Sequence, residues 1–349
     1  MTRANPSTLR GPWAGGLLLS LTLAAACTCD SAPSPEPISE AKGQRARPPT
    51  PAVPVARVAF THVAAGGDST CVRIGTGAVR CAGRIVGADA DGSRAIALPQ
   101  DVVELAVADR RACARTAAGA VHCWTAPPTQ ATESTPAVVA DVTAATAIRV
   151  IDDAACAIAE RGTVRCWGER AGKPFAAALA GIEGARAIAF DGPLVILQDR
   201  DGKVRHFDPT GAAVERDNDG DEIGGLVGNN LGCVLYRGAL RCSGDGFEGN
   251  PIEDGDEPSV THATGVCGRF REREIRCSGW NAERRPTSGR RFQSFLVPDV
   301  VTLAAGQRHV CGLLRDGSLW CWGRAAQGQL GARAEQDLLP TDVGAAFRD

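Results

Sequence analysis

Three features of the sequence predict an all-β chain folded as a seven-bladed β-propeller of short repeats. Twelve of its 14 cysteines fall into six pairs, five with members ten residues apart and one nine apart. The first cysteine of each pair, with Ile196 standing in once, recurs at 71, 113, 156, 196, 233, 267 and 311. The intervals are 42, 43, 40, 37, 34 and 44 residues. Finally, 41 Gly and 21 Pro suit many short strands joined by turns better than long helices. A strand-only unit of this period cannot bury both of its faces alone, so such units are expected to stack radially.

The pairs are Cys71/Cys81, Cys113/Cys123, Cys156/Cys166, Cys233/Cys242, Cys267/Cys277 and Cys311/Cys321. Gly-bearing turns such as Ala118-Gly119 and Asp316-Gly317 lie between the members, the mark of a hairpin. Residues placed symmetrically about such a turn oppose each other at roughly 4.5–5.5 Å between Cα atoms, within disulfide reach. Zinc binding by the thiolates is the competing reading, but zinc favours tighter C-x2–4-C pairs. Between Cys166 and Cys233 the same pattern continues without cysteine, and Ile196 and His206 stand where the pair would be. Loss of both members together is what a bonded pair predicts. An apolar strand precedes each hairpin, as at 102–108 and 300–306. Trp124, Trp167 and Trp322 each follow a second cysteine directly, a recurrence that suits packing between blades.

The segment HVCGLLRDGSLWCWGRAAQGQLG at 309–331 resembles a repeat of the regulator-of-chromosome-condensation propellers, and CAIAERGTVRCWG at 156–168 is similar to it. The resemblance spans about residues 55–349, with partial matches in the first two repeats and degenerate ones in the fourth to sixth. It implies the propeller fold. The family's best-known activity is nucleotide exchange on a small nuclear GTPase, a partner to which an exported chain has no access. Secreted propellers of this kind include proteinaceous enzyme inhibitors, so the resemblance implies binding and not catalysis. The end of the chain, Leu339-Pro340-Thr341-Asp342-Val343, echoes Leu98-Pro99-Gln100-Asp101-Val102. The two termini are therefore expected to close the ring by completing one shared blade.

The N-terminus reads as an export signal. Arg3 and Arg10 precede an apolar run, 17–26, that is too short to span a membrane and ends at Cys27. Ala24-Ala25-Ala26-Cys27 resembles the bacterial lipobox, which implies lipidation at Cys27 and anchoring to a bacterial membrane, outer membrane or surface. Ordinary cleavage after an alanine would leave a secreted protein. Residues 31–55 are rich in Pro, Ser and charge and cannot bury a core. The expected division is a signal peptide at 1–26, a lipid-anchored tether at 27–54 and the propeller at 55–349. Cys29, beside the anchor, has no partner in the repeats.

A formal net charge of −2 excludes a strongly basic nucleic-acid binder. H-E-x-x-H, G-x-S-x-G and the P-loop are all absent from the sequence, and each repeat cysteine has a partner, so no catalytic residue and no cofactor is expected. Asp217, Asp219 and Asp221 resemble the start of a calcium loop, but Glu222 stands where that loop needs Gly, and a solvated acidic loop is the bland reading. With Asp254 and Asp256 these residues form acidic loops, followed by a basic one at Arg284, Arg285, Arg290 and Arg291. Opposite charges on neighbouring loops would orient a polar protein partner. The functional expectation is a monomeric protein-binding scaffold, receptor-like or inhibitor-like, at the cell envelope. Its alternative is a glycan-binding module or a hydrolase or lyase working through the channel.

Overall fold

Short apolar segments alternating with glycine turns favour hairpins over distant pairing, because a hairpin closes at little cost in chain entropy. The structure, a computed structural model, has that form throughout. It describes residues 59–87, 92–126, 135–151, 153–170, 173–174, 183–191, 194–215, 225–227, 233–236, 239–242, 257–262, 265–270, 274–278, 292–297, 299–334 and 338–348. The signal, Cys27, Cys29 and the tether lie outside these residues, as do all the acidic and basic loop residues expected to meet a partner.

The strands form seven antiparallel sheets, numbered here in chain order. Sheet 1 contains Phe60–Gly66, Ser69–Ile74, Val79–Gly83 and Arg94–Ile96. Sheet 7 contains Val300–Ala305, His309–Leu314, Leu319–Gly323 and Leu338–Asp342. Sheet 5 has three described strands, Gly225–Val227, Cys233–Tyr236 and Ala239–Cys242, and the other six sheets have four each.

The propeller expectation is corrected at this point. Each sheet is a run of consecutive strands, and among the described residues no strand ladder joins one sheet to the next or closes them into a barrel. Phe60–Gly66 pairs with Ser69–Ile74 and not with the end of the chain, whose last strand pairs with Leu319–Gly323 in its own sheet. Among the described residues no strand ladder joins the two termini. The physical reason is local: every sheet draws its strands from one unbroken stretch, so sequential pairing satisfies the backbone before a distant strand can compete. The Leu-Pro-x-Asp-Val echo marks the same place in two sheets, the end or exit of an outer strand.

Within the sheets the cysteines oppose each other in register. Cys71–Cys81, Cys113–Cys123, Cys156–Cys166, Cys267–Cys277 and Cys311–Cys321 are disulfide-bonded, with Cα atoms 4.0–4.1 Å apart. Cys233 and Cys242 are likewise opposite in sheet 5. In sheet 4, Ile196 faces His206, both buried. The aromatic that follows the second cysteine packs on the preceding sheet. Trp124 of sheet 2 lies with Ile85 and Val86 of sheet 1, and Trp322 of sheet 7 with Cys267 and Ile275 of sheet 6.

The two ends of the sheets are built differently. At one end lie the turns between first and second strands, where Gly67 sits close against Asp109 of sheet 2. At the other lie the turns between second and third strands, here called the second-turn end. There the carbonyl of Gly119 accepts a bond from Ala145 N, that of Gly162 from Ala185 N, and that of Gly317 from Phe60 N. Each is a glycine at φ near 80°, and each clamps the entry to a neighbouring sheet.

Candidate functional site at the second-turn end

The second-turn end of sheet 7 holds an open cavity of ≈ 510 Å3 lined by Asp299, Leu314, Arg315, Asp316, Ser318, Trp320 and Asp342. Four local features build it. Asp299 lies just before the first strand with φ 59°, a left-handed conformation that Asp adopts more readily than most residues. Arg315 N donates to the Asp299 carbonyl at 2.8 Å, tying the second turn to that entry. Asp316 Oδ1 accepts from Ser318 N at 2.9 Å and from Ser318 Oγ at 2.6 Å, a turn that holds its carboxylate still. Asp342 lies opposite Trp320 in the strand register, and its Oδ1 accepts from Gly344 N at 2.8 Å. Trp320 is half-buried, whereas Asp299, Arg315, Asp316 and Asp342 are exposed.

Carboxylates recur at this end of other sheets. The turns and connections at the same end of sheets 1 to 4 carry exposed Asp101, Asp141, Glu160, Glu183 and Asp201, against exposed Arg161, Arg186, Arg200 and Lys203. Together with the pocket residues, exposed carboxylates outnumber exposed cations at this end among the described residues, a bias toward a cationic partner.

Two further polar clusters hold sheets together. In the first, Glu104 binds Arg115 of its own sheet at 2.7 Å and Arg149 of sheet 3 at 3.2 Å, and accepts from Ile148 N at 3.3 Å. His62 of sheet 1 lies beside it, and burial lowers its pKa while the Glu104 charge pulls it back up. The second lies at the opposite end, among sheets 7, 1 and 2. Asp68 N donates to Asp109 Oδ1 at 2.8 Å, Arg84 pairs with Asp109 at 3.1 Å, and Gln329 Nε2 donates to Asp68 Oδ1 at 3.3 Å. Burial, then the Asp109 charge, raise the Asp68 pKa against the pull of Arg324, Arg84 and Arg308.

None of the loop residues expected to meet a partner belongs to the described sites; Asp217, Asp219, Asp221, Asp254, Asp256, Arg284, Arg285, Arg290 and Arg291 all lie outside the described residues. The described strand ends beside them differ. Residues 216–224 lead from an outer strand into the first strand of sheet 5, whereas 279–291 follow a third strand in sheet 6. The pocket residues escaped the sequence reading because 43 positions separate Asp299 from Asp342. Among the described residues no three His, Cys, Asp or Glu side chains are grouped to hold a metal ion, and no catalytic constellation is assembled. No helix among them is long and apolar enough to cross a membrane.

Residues 300–329 match the family described as Regulator of chromosome condensation (RCC1) repeat. No curated protein matches the chain. Among solved structures, the fold is similar to the entire ectodomain of the Physcomitrella patens receptor kinase CR4. That likeness has a TM-score of 0.55 at 22% identity, over 76% of this chain and 74% of that one. It is similar also to the CRINKLY WD40 ectodomain of the Arabidopsis thaliana receptor kinase ACR4. There the TM-score is 0.52 at 16% identity, over 81% of this chain and 99% of that one. These likenesses concern the fold alone, which resembles that of the two receptor ectodomains. The expected membrane anchor at Cys27 gains nothing from them and does not enter the functional reading.

Proposed function

We propose that this chain is an extracytoplasmic protein-binding module that presents the second-turn end of its sheets to a partner with a basic surface. The observation that carries the reading is the set of exposed carboxylates at this one end of the sheets, Asp101, Asp141, Glu160, Glu183 and Asp201, together with Asp299 and Asp342 of the sheet 7 pocket. A face on which one sign predominates, held on short clamped turns, speeds encounter and sets orientation. The location outside the cytoplasm is supported by the five disulfides, since thiol buffers keep cytosolic cysteines reduced. The likeness in fold to two receptor ectodomains is in keeping with it.

The test uses the oxidised chain, immobilised and offered secreted and surface proteins beside a variant carrying Asp101→Lys, Asp141→Lys and Asp201→Lys. The expected result is a defined protein retained by the native chain and bound at least about tenfold more weakly by the variant. Retention of nothing, or equal retention by both chains, overturns the proposal.

A further inference from the structure

We infer that the first-turn end of sheets 7, 1 and 2 is a second docking surface, which takes an acidic segment of a protein partner on the guanidinium groups of Arg308, Arg324, Arg84 and Arg110. It goes beyond the module reading, which concerns the opposite end of the sheets, and does not depend on it.

Placement is the first argument. One corner recurs from sheet to sheet, where the residue after the third strand donates its N–H to a carbonyl of the first turn. Arg324 binds Arg308 in this way at 2.9 Å, Arg84 binds Asp68 at 3.0 Å, and Ala126 binds Arg110 at 2.7 Å. The three corners adjoin, since Gln307 N donates to the Gly67 carbonyl at 2.6 Å and Asp68 N to Asp109 Oδ1 at 2.8 Å. Arg324, Arg84 and Arg308 lie near enough to Asp68 for their charges to pull its pKa down against burial, so three of the four arginines gather about one point. The backbone beneath them is fixed before any partner arrives, and none of it has to be ordered on binding.

Uncompensated charge is the second. Arg308 and Arg110 are exposed, and Arg84 and Arg324 are half-buried. Arg110, Arg308 and Arg324 make no ion pair or side-chain hydrogen bond among the described residues. The carboxylates beside them are engaged elsewhere. Asp109 holds Arg84 at 3.1 Å and the Asp68 N–H, and buried Asp68 accepts from Gln329 Nε2 at 3.3 Å. The cations outnumber these carboxylates, and half-buried Arg111 beside Arg110 adds to the excess. A guanidinium fork matches a carboxylate with two parallel hydrogen bonds, so acidic side chains are the groups that fit.

The border of the surface is the third, and it selects the class of partner. In sheet 3 the same corner carries exposed Asp153 and Glu169, with Glu169 N on the Asp153 carbonyl at 2.9 Å. A uniform polyanion laid across these turns meets like charge there and is repelled. A protein surface changes sign within a few residues. It can set acidic side chains on sheets 7, 1 and 2 and present neutral or basic ones to sheet 3.

The experiment is fluorescence anisotropy of dye-labelled tetra-glutamate titrated with the oxidised full chain at low salt. Saturable binding is expected, weakened at least about fivefold in the double variant Arg308→Gln, Arg324→Gln. The control Arg161→Gln, Arg200→Gln removes two exposed cations from the second-turn end and should bind within about twofold of the native chain. Arg110→Gln, an exposed position on another sheet, should weaken binding in the same direction, and it decides the matter if the double variant melts early. The inference is overturned if tetra-glutamate does not bind, if the control loses as much affinity as the double variant, or if Arg110→Gln binds as the native chain does. It is overturned too if a heparin disaccharide of matched charge displaces the probe better than unlabelled tetra-glutamate, which would assign the surface to sulfated glycans.

Discussion

Thr70 Oγ1 and His309 Nε2 are hydrogen-bonded at 2.7 Å in a fully buried contact, although 239 positions separate them in the chain. The bond joins the second strand of sheet 1 to the second strand of sheet 7, and Gln307 N reinforces it by donating to the Gly67 carbonyl. The first and last sheets are thus held together by side chains and turns, not by a shared strand.

Thr70→Val keeps the shape of the side chain and removes this bond. It is expected to cost about 1–3 kcal/mol in urea unfolding, the range for losing a buried hydrogen bond. Thr341→Val, which removes an exposed bond to the Leu339 carbonyl, should stay within about 0.5 kcal/mol of the native chain. Gly306→Ala should be worse than either, because a Cβ there would run into the His309 ring and the Gly67 carbonyl. Equal stability of Thr70→Val and the native chain would show that the contact contributes nothing.

Asp68 makes stability fall as pH rises. Its pKa in the folded chain lies above the ordinary value, mainly through burial and then through Asp109. The folded state therefore holds this proton more tightly than the unfolded one, and the gain is lost as pH climbs from the ordinary carboxylate range through the raised value. Asp68→Asn, whose side-chain oxygen can still accept from Gln329, is expected to melt above the native chain at neutral pH. Near pH 3 the two should converge, about where both states of the native chain carry the proton. A constant difference across that range would rule out the assignment.

His62 acts in the opposite sense and in a higher window. Burial lowers its pKa from 6.5, against the raising effects of Glu104 and a bond with the Leu105 backbone. The unfolded chain takes up this proton first, so stability falls as pH drops from 6.5 through the lowered value. In His62→Gln the melting temperature should lose this slope between about pH 7 and pH 5. An unchanged slope would assign it to another group.

Each disulfide closes a hairpin loop of 11 residues, for which the chain-entropy argument expects about 3 kcal/mol. Replacing Cys113 and Cys123 together by alanine should lower unfolding free energy by about that amount under oxidising conditions. Reductant should bring the native chain down further than the variant loses on the same treatment, because the variant has one bond fewer to break. A double variant as stable as the native chain would remove the bonds from the account of stability.

The hairpins were legible because their determinants are local. Two cysteines placed evenly about a glycine turn specify which residues oppose, and the register Cys113↔Cys123 follows from counting. The polar cluster at Asp68 left a fainter signal: Asp68, Asp109, Asp153 and Arg308 all fall three or four residues before a first cysteine. That recurrence reads as a repeated turn, but nothing in it says that Asp68 and Asp109 touch. The pocket left less still. Asp299, Trp320 and Asp342 belong to three different strand ends, and only their shared end of sheet 7 brings them together.

By itself, then, the order of residues determined an all-β chain of repeated hairpins and five of its cysteine pairings, since alternation, turn glycines and spacing act over a dozen residues. Only the tertiary structure decided that each sheet keeps its own described strands, that the first and last of these pair within their own sheets, and that Thr70 meets His309. Those outcomes depend on how whole sheets pack, a sum of many weak contacts between distant segments that no single stretch of sequence encodes.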